Sequence, residues 1–269
     1  MTLNTSGVDL SVQQFVGAWR LMCAGGPDYA AAEIDGVHYV FSGVPIPFFN
    51  VAILTDRLMS ADTFRARAQQ ACAWAADRQV PWLCVLTHEA LEPGVDAVTI
   101  ADESGLASMM PMTGMIAQQI APPIRVPEDL QLTMPDDDAG CAALLDMNSL
   151  AYGMDLGAGK DVLGKRSFWN GHYPVLGSAG GTPVSSAAVL MVDGYRYVAL
   201  VATDPGQQRR GYADATMRRA LELSAETYAD RPTVLHATDA GRPIYERMGY
   251  TPISTHTIFI EKRFLESHA

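Results

Sequence analysis

Positive charge is scarce in this chain: 19 Lys and Arg stand against 30 Asp and Glu over 269 residues, a formal charge of −11. So acidic a balance argues against general binding to nucleic acid or to anionic membrane, because both need basic surface. Long apolar runs are missing too. No stretch approaches the roughly 18 uninterrupted apolar residues of a membrane helix, so no span is expected. The opening stretch MTLNTSGVDLSVQQF has no basic segment followed by an apolar run, so no signal peptide is expected either. Cysteine is sparse. Cys23, Cys72, Cys84 and Cys141 lie far apart without a CxxC pair, which points to buried thiols in a reducing compartment and a cytoplasmic location. The six histidines show no metal-ligand spacing, so no metal is expected. HExxH and GxSxG are absent. The glycines before Gly159-Lys160 do not make a phosphate loop, because no glycine sits at the required distance and Asp161 follows the lysine.

What is present is enough apolar residue for a packed core: 48% hydrophobic against 18% charged. The length allows one large domain or two small ones. The clearest break is APPIRVPEDLQLTMPDDD at 121–138, where Pro122, Pro123, Pro127 and Pro135 interrupt regular structure. Residues 122–128 read as a linker, with a short strand at 130–134 beyond it. After the break, Asp138 reads as the cap of a helix to about Tyr152, with Cys141, Leu144, Leu145, Asn148 and Ala151 at helical spacing. Strands are expected at 173–178, 184–192 and 195–203, punctuated by Gly180-Gly181 and Asp193-Gly194, a tight-hairpin signal. An amphipathic helix follows from Arg210 to about Ala229, with Ala213, Met217, Ala220, Leu221 and Tyr228 on its apolar side. A strand at 233–237, a helix at 241–248 and a strand region at 254–264 close the pattern.

The first half repeats part of that order: a strand at 49–54, a helix at 61–78, a strand at 82–87 and a helix at 95–103. Corresponding elements lie roughly 145–150 residues apart. Order and spacing agree while side chains do not, so the chain reads as two copies of one α/β fold.

The chemistry concentrates in VALVATDPGQQRRGYA, residues 198–213. An apolar strand ends at Thr203, a turn holds Pro205 and Gly206, and Gln208-x-x-Gly211-x-Ala213 opens a helix. Small residues let a ligand approach the backbone. The first helix amides lack intrahelical partners and, with the helix dipole, suit an anion such as pyrophosphate. Arg209 and Arg210 add charge beside them. The segment resembles the acetyl-CoA motif of the GNAT acyltransferase superfamily, Q/R-x-x-G-x-G/A after the fourth strand. A second stretch, Ala237, Thr238, Gly241, Tyr245, Gly249 and Tyr250, resembles that superfamily's later motif, and the two occur in the right order. The resemblance covers about 130–265. It implies an α/β (α+β) fold of two GNAT-like domains, each a mixed, mostly antiparallel sheet flanked by helices: a degenerate one at 1–121, the linker 122–128, and an acyltransferase domain at 129–269. The turn of the first half, 55–60, lacks the glycine pattern and is not expected to bind CoA.

The resemblance also implies an activity: acyl-CoA-dependent N-acetyltransfer from acetyl-CoA to a primary amine by direct attack. Backbone groups near Val201 and Thr203 would bond the pantetheine. Amides from Gln208 through Arg209, Arg210, Gly211 and Tyr212 to Ala213 would hold the pyrophosphate. A backbone amide of the fourth strand would steady the oxyanion, and Tyr245 would protonate the leaving thiolate. A general base is not evident, because the strands at 184–192 and 195–203 carry no internal carboxylate. His172 or Tyr173 could act through water, whereas His236 reads as a strand histidine. The acceptor pocket is expected to draw on Asn148, Tyr152, Phe168-Trp169 and the aromatic turn 43–50, although those aromatics also fit a core. The Met-rich run 109–115 reads as packing. A second reading is a non-catalytic acyl-CoA-binding sensor or regulatory module, and a third is an interaction scaffold without CoA affinity.

Overall fold

A computed structural model describes residues 7–228 and 231–265. The helices and strands, in chain order, are α1 (Gly7–Cys23), β1 (Ala30–Ile34), β2 (Val37–Phe41), β3 (Asn50–Leu54), α2 (Ala61–Ala75), β4 (Leu83–Thr87), α3 (Ala97–Glu103), β5 (Leu106–Ala117), β6 (Leu130–Thr133), α4 (Asp138–Tyr152), α5 (Lys160–Leu163), β7 (Tyr173–Ala179), β8 (Thr182–Val192), β9 (Tyr195–Thr203), α6 (Tyr212–Tyr228), β10 (Thr233–Ala237), α7 (Arg242–Arg247) and β11 (Thr251–Glu261). The expected elements are present within a few residues. The expected end of the long helix at Ala229 lies outside the described residues.

Two compact units divide the chain. Unit one takes residues 7–115, 236–242 and 252–265; unit two takes 116–228, 231–235 and 243–251. C-terminal residues that the sequence groups with the second half therefore pack in unit one. The reason is β11, whose Ile258-Phe259-Ile260 run is buried and pairs antiparallel with Leu83–Val85 of β4.

In unit one the strands run β1-β2-β3-β4-β11-β5. β3 and β4 are parallel through Val51↔Leu83, Ala52↔Cys84 and Ile53↔Val85, with α2 as the connection. Both strands are buried along their length and read as apolar runs, as parallel strands do. Their side chains build a core with Tyr39, Phe41, Phe64, Trp82 and Phe259. Asp35 and Gly36 both have positive φ, which closes the β1–β2 hairpin. The aromatic turn before β3 is wrapped around one buried side chain. Asn50 donates to the carbonyls of Val44, Ile46 and Pro81 and accepts from the amides of Ser42 and Gly43.

In unit two the order is β10-β9-β8-β7-β6. The β6 to β9 pairs are antiparallel, while β9 and β10 are parallel with α6 as the connection. The strand–helix–strand order of β3-α2-β4 thus recurs as β9-α6-β10. Helix α4 is capped by Asp137, whose Oδ1 accepts from the Gly140 amide at 2.7 Å, and not by Asp138 as the sequence suggests. Asp138 instead receives the Arg166 amide at 2.8 Å. Asp193-Gly194 closes the β8–β9 hairpin with positive φ at both residues, as its sequence predicts. Among the described residues no helix is long and apolar enough to cross a membrane.

Candidate active site

Three features of unit two converge on the end of β9. The first is a short ladder. β9 and β10 pair only at Arg196↔Thr233 and Tyr197↔Val234, yet β9 continues to Thr203 and β10 to Ala237. From Val198 onward, the side of β9 that faces away from β8 is released from that ladder.

The second is a bulge. Ala188 lies opposite Ala199 and Ser186 opposite Ala202, so Leu200 and Val201 together face one residue of β8. Leu200 takes φ of 53°, a left-handed value that L side chains rarely adopt and that costs about 1–3 kcal/mol. Its carbonyl accepts from Ser186 Oγ at 2.9 Å and Asn148 Nδ2 at 3.3 Å. The next carbonyl, Val201, accepts from Tyr152 Oη at 2.9 Å.

The third is the entry to α6. Asp204 Oδ1 caps the Pro205–Gln207 turn by accepting from the Gly206 amide. Arg209 and Gly211 then take φ of 63° and 85°. Gly211 precedes the helix and has no side chain to occupy its first amides. A Cβ there would meet nothing closer than Arg125 Cδ and Pro127 Cγ, both at 3.9 Å. The opening above the helix end is therefore flanked by the 122–128 segment. Arg209, Arg210 and Arg125 are exposed, and none of the three forms an ion pair among the described residues. Tyr212 differs from its neighbours: its side chain is buried and donates to Asp129 Oδ2 at 2.6 Å. That bond, more than Arg210 and Arg125, holds the Asp129 carboxyl below the usual range. Only the Tyr212 backbone is left for a ligand. Gln208 is exposed, and Val201, Thr203 and Ala213 are half-buried.

The corresponding turn of unit one is built differently. Ser60 precedes α2 and its Oγ accepts from the Thr63 amide at 3.2 Å, so the chain caps its own helix.

Tyr245 on α7 is buried, and burial pushes its phenol up, with a smaller push from Tyr152 and Tyr250. Its ring lies 6.1 Å from Tyr250, and its hydroxyl makes no hydrogen bond among the described residues. Tyr250 differs: its hydroxyl pairs with Thr233 Oγ1 at 2.7 Å. Gly249 ends α7 at φ 97°, close enough to the Gln119 carbonyl that a Cβ would sit 3.2 Å away.

Several expected pocket residues are spent on structure. Asn148 is buried against β8 and β9. Trp169 is buried and donates to the Leu163 carbonyl, with Phe168 packed edge-on against it. The candidate base His172 is buried, which lowers its pKa, and its Nδ1 accepts from the Met191 amide at 3.2 Å. A neutral imidazole has one acceptor nitrogen, so none is left to take a proton. In unit one, His236 bonds Ser11 Oγ at 2.9 Å and packs against Phe15. Sequence reasoning missed Arg125 and the Asn148–Ser186–Leu200 contact. No linear pattern marks either, because both depend on residues brought together from distant parts of the chain.

Residues 164–264 match the Acetyltransferase (GNAT) domain family. Members use acetyl-CoA as cosubstrate. Among solved structures, the chain resembles a GCN5-related N-acetyltransferase from Kribbella flavida at TM-score 0.70 and 17% identity, covering 96% of each chain. A GCN5-related N-acetyltransferase from Sphaerobacter thermophilus matches at TM-score 0.61 and 13% identity, over 84% of this chain and 76% of that one. A tandem GNAT protein from the clavulanic acid biosynthesis pathway matches at 0.53 and 12%, over 94% of each. At these identities the likeness is one of fold, and it spans both halves. No curated protein matches the sequence.

Proposed function

We propose that the chain is an acyl-CoA-dependent N-acyltransferase that moves acetyl from acetyl-CoA to a primary amine. In this reading 129–269 is the acyltransferase region, 122–128 the linker, and 1–121 a degenerate relative of it. The observation that carries the proposal is the released end of β9 leading, through the turn at 204–211, into a helix whose preceding residue, Gly211, has no side chain to cap it. Acetyl-CoA fits that arrangement on three counts. The amides of Gln208–Ala213 and the guanidinium groups of Arg209 and Arg210 meet a pyrophosphate. The Val201 and Thr203 backbone offers the extended edge that pantetheine amides need, and the Val201 carbonyl keeps a second lone pair beside Tyr152 Oη. The Tyr245 hydroxyl has its proton held in place by burial.

The neutral amine attacks the thioester carbonyl, the bond to sulfur breaks as the thiolate leaves, and the proton that the attacking nitrogen sheds passes through water to that thiolate. Tyr245 donates to that thiolate. Because a thiol has a pKa near 8.5 and the Tyr245 phenol lies above its ordinary 10, Tyr245 steadies the thiolate by a hydrogen bond more than by full transfer. The amine must arrive neutral or lose its proton to water, since no base is built into β8 or β9 and His172 is engaged.

Calorimetric titration with acetyl-CoA, with CoA as comparison, tests the reading. Saturable micromolar binding is expected. Gly211→Glu should weaken it at least about 100-fold by placing a carboxylate at the phosphates, whereas Gly211→Asn, which tolerates positive φ, should bind within about tenfold. No binding at millimolar ligand would refute the donor site. The lack of a built-in base favours one second reading, an acyl-CoA-binding regulatory module. Thiol release over an amine panel separates the two: the enzyme releases CoA with some amine, and the module with none.

A further inference from the structure

The bulge in β9 is held by side chains from two other elements. Ser186 on β8 and Asn148 on α4 are both buried, at 0% and 2% exposure. Ser186 Oγ donates to the Leu200 carbonyl at 2.9 Å, and Asn148 Nδ2 reaches both that carbonyl, at 3.3 Å, and Ser186 Oγ, at 3.1 Å. The same nitrogen is anchored to its own helix by the Leu144 carbonyl at 2.8 Å. Neither polar side chain is needed for secondary structure, and apolar residues of similar size would pack there without a desolvation cost. What they do is fix one peptide plane. In a trans peptide the carbonyl and the following N–H point in opposite directions. Holding the Leu200 oxygen toward Ser186 and α4 aims the Val201 N–H away from β8, onto the side of β9 released from the β10 ladder.

We propose that Asn148 and Ser186 are positioning residues for acyl transfer: they hold the Leu200 carbonyl so that the Val201 amide donates to the oxygen of the acyl carbonyl. The inference rests on the proposed function. It adds a cause for the strained Leu200 conformation, since without the two donors a leucine at φ 53° would relax toward a regular strand. A donor fixed before the reaction is what stabilises charge developing on the carbonyl oxygen. Asn148 and Ser186 themselves never touch substrate.

The test is isotope-edited infrared spectroscopy of [1-13C]acetyl-CoA bound to the full chain without amine. The wild-type carbonyl band should fall below that of the ligand in water. Ser186→Ala, a small and easily folded change, should move it part of the way back. Asn148→Leu combined with Ser186→Ala should return it most of the way, while affinity for CoA, which has no acyl carbonyl, changes less than about threefold. Ser186→Thr, which keeps a hydroxyl, should retain the wild-type band. An unmoved band in Ser186→Ala and in the double variant would overturn the inference, as would equal losses of CoA affinity and melting temperature with the band unchanged. A wild type that binds acetyl-CoA but leaves its band at the solution value would overturn this inference and spare the donor site. A wild type that binds no acetyl-CoA would overturn the proposed function and this inference with it.

Discussion

Acidification should destabilise this protein through a pair of buried histidines in unit one, His236 and His256. His256 is 2% exposed in unit one. Its Nε2 lies 2.8 Å from Ser254 Oγ, its Nδ1 lies 3.1 Å from Thr87 Oγ1, and Phe15 and His236 pack against its ring. Burial lowers its pKa from 6.5 to about 4, with Glu89 opposing and His88 assisting. His236 is shifted in the same direction by burial and by His256. The folded state therefore holds His256 neutral. As the pH falls below 6.5 the unfolded chain takes up a proton that the folded chain refuses until about pH 4, so stability is lost across that window. At 1.36 kcal/mol per unit, the loss from His256 alone between pH 7.5 and pH 5 is about 2 kcal/mol. Carboxylates titrate over part of the same range, so the measurement is a difference. Urea unfolding of wild type and His256→Gln at both pH values should show the stability gap between them shrinking by about 2 kcal/mol at pH 5. Parallel losses in the two proteins would refute the argument.

Tyr245→Phe should lower turnover about 10- to 100-fold, the worth of a hydrogen bond to a charged group, and leave acetyl-CoA affinity within about threefold; unchanged thiol release would remove Tyr245 from the reaction. Arg125→Glu places negative charge beside Gly211 and should weaken acetyl-CoA binding about tenfold at low salt, with a smaller effect in high salt. Equal affinity in titration calorimetry at low salt would show that Arg125 stays out of the phosphate field.

Local pattern made most elements of the second half legible. Alternating and apolar runs, Asp193-Gly194 and the stripe of α6 all act over a few residues, and the elements stand where those signals put them. The same grammar was present but unread in the first half: Asp35-Gly36 makes the β1–β2 hairpin just as Asp193-Gly194 makes the later one. The stripe of Leu10, Phe15, Ala18, Trp19 and Met22 is the buried face of α1. The α6 opening was legible because its glycine and arginines are contiguous. The contact of Asn148 with the Leu200 carbonyl was not legible, because it joins residues 52 apart at a bulge that no linear spacing announces. Arg125 was hidden for the same reason, since its proximity to Gly211 is set by where the chain returns after β5.

The assignment of β11 to unit one bears on what a shortened protein can do. Removing residues 1–120 deletes β4, which supplies the antiparallel partner of His256–Ile260. Ile258, Phe259 and Ile260 are at most 7% exposed in the full chain. Each buried side chain of this kind contributes about 1.5–3 kcal/mol, so the fragment gives up roughly 5–9 kcal/mol of burial, comparable to the whole stability of an ordinary domain. It also bares an apolar strand edge, which pairs with other chains. A fragment starting at residue 121 should therefore be recovered in inclusion bodies or as large aggregates by gel filtration. Replacing Ile258 and Ile260 with Lys or Thr should restore some solubility by blunting that edge without restoring a cooperative melt. A soluble fragment that melts cooperatively and binds acetyl-CoA as the full chain does would show that β11 does not need β4. The first half would then be dispensable to the fold that carries Gly211 and Tyr245.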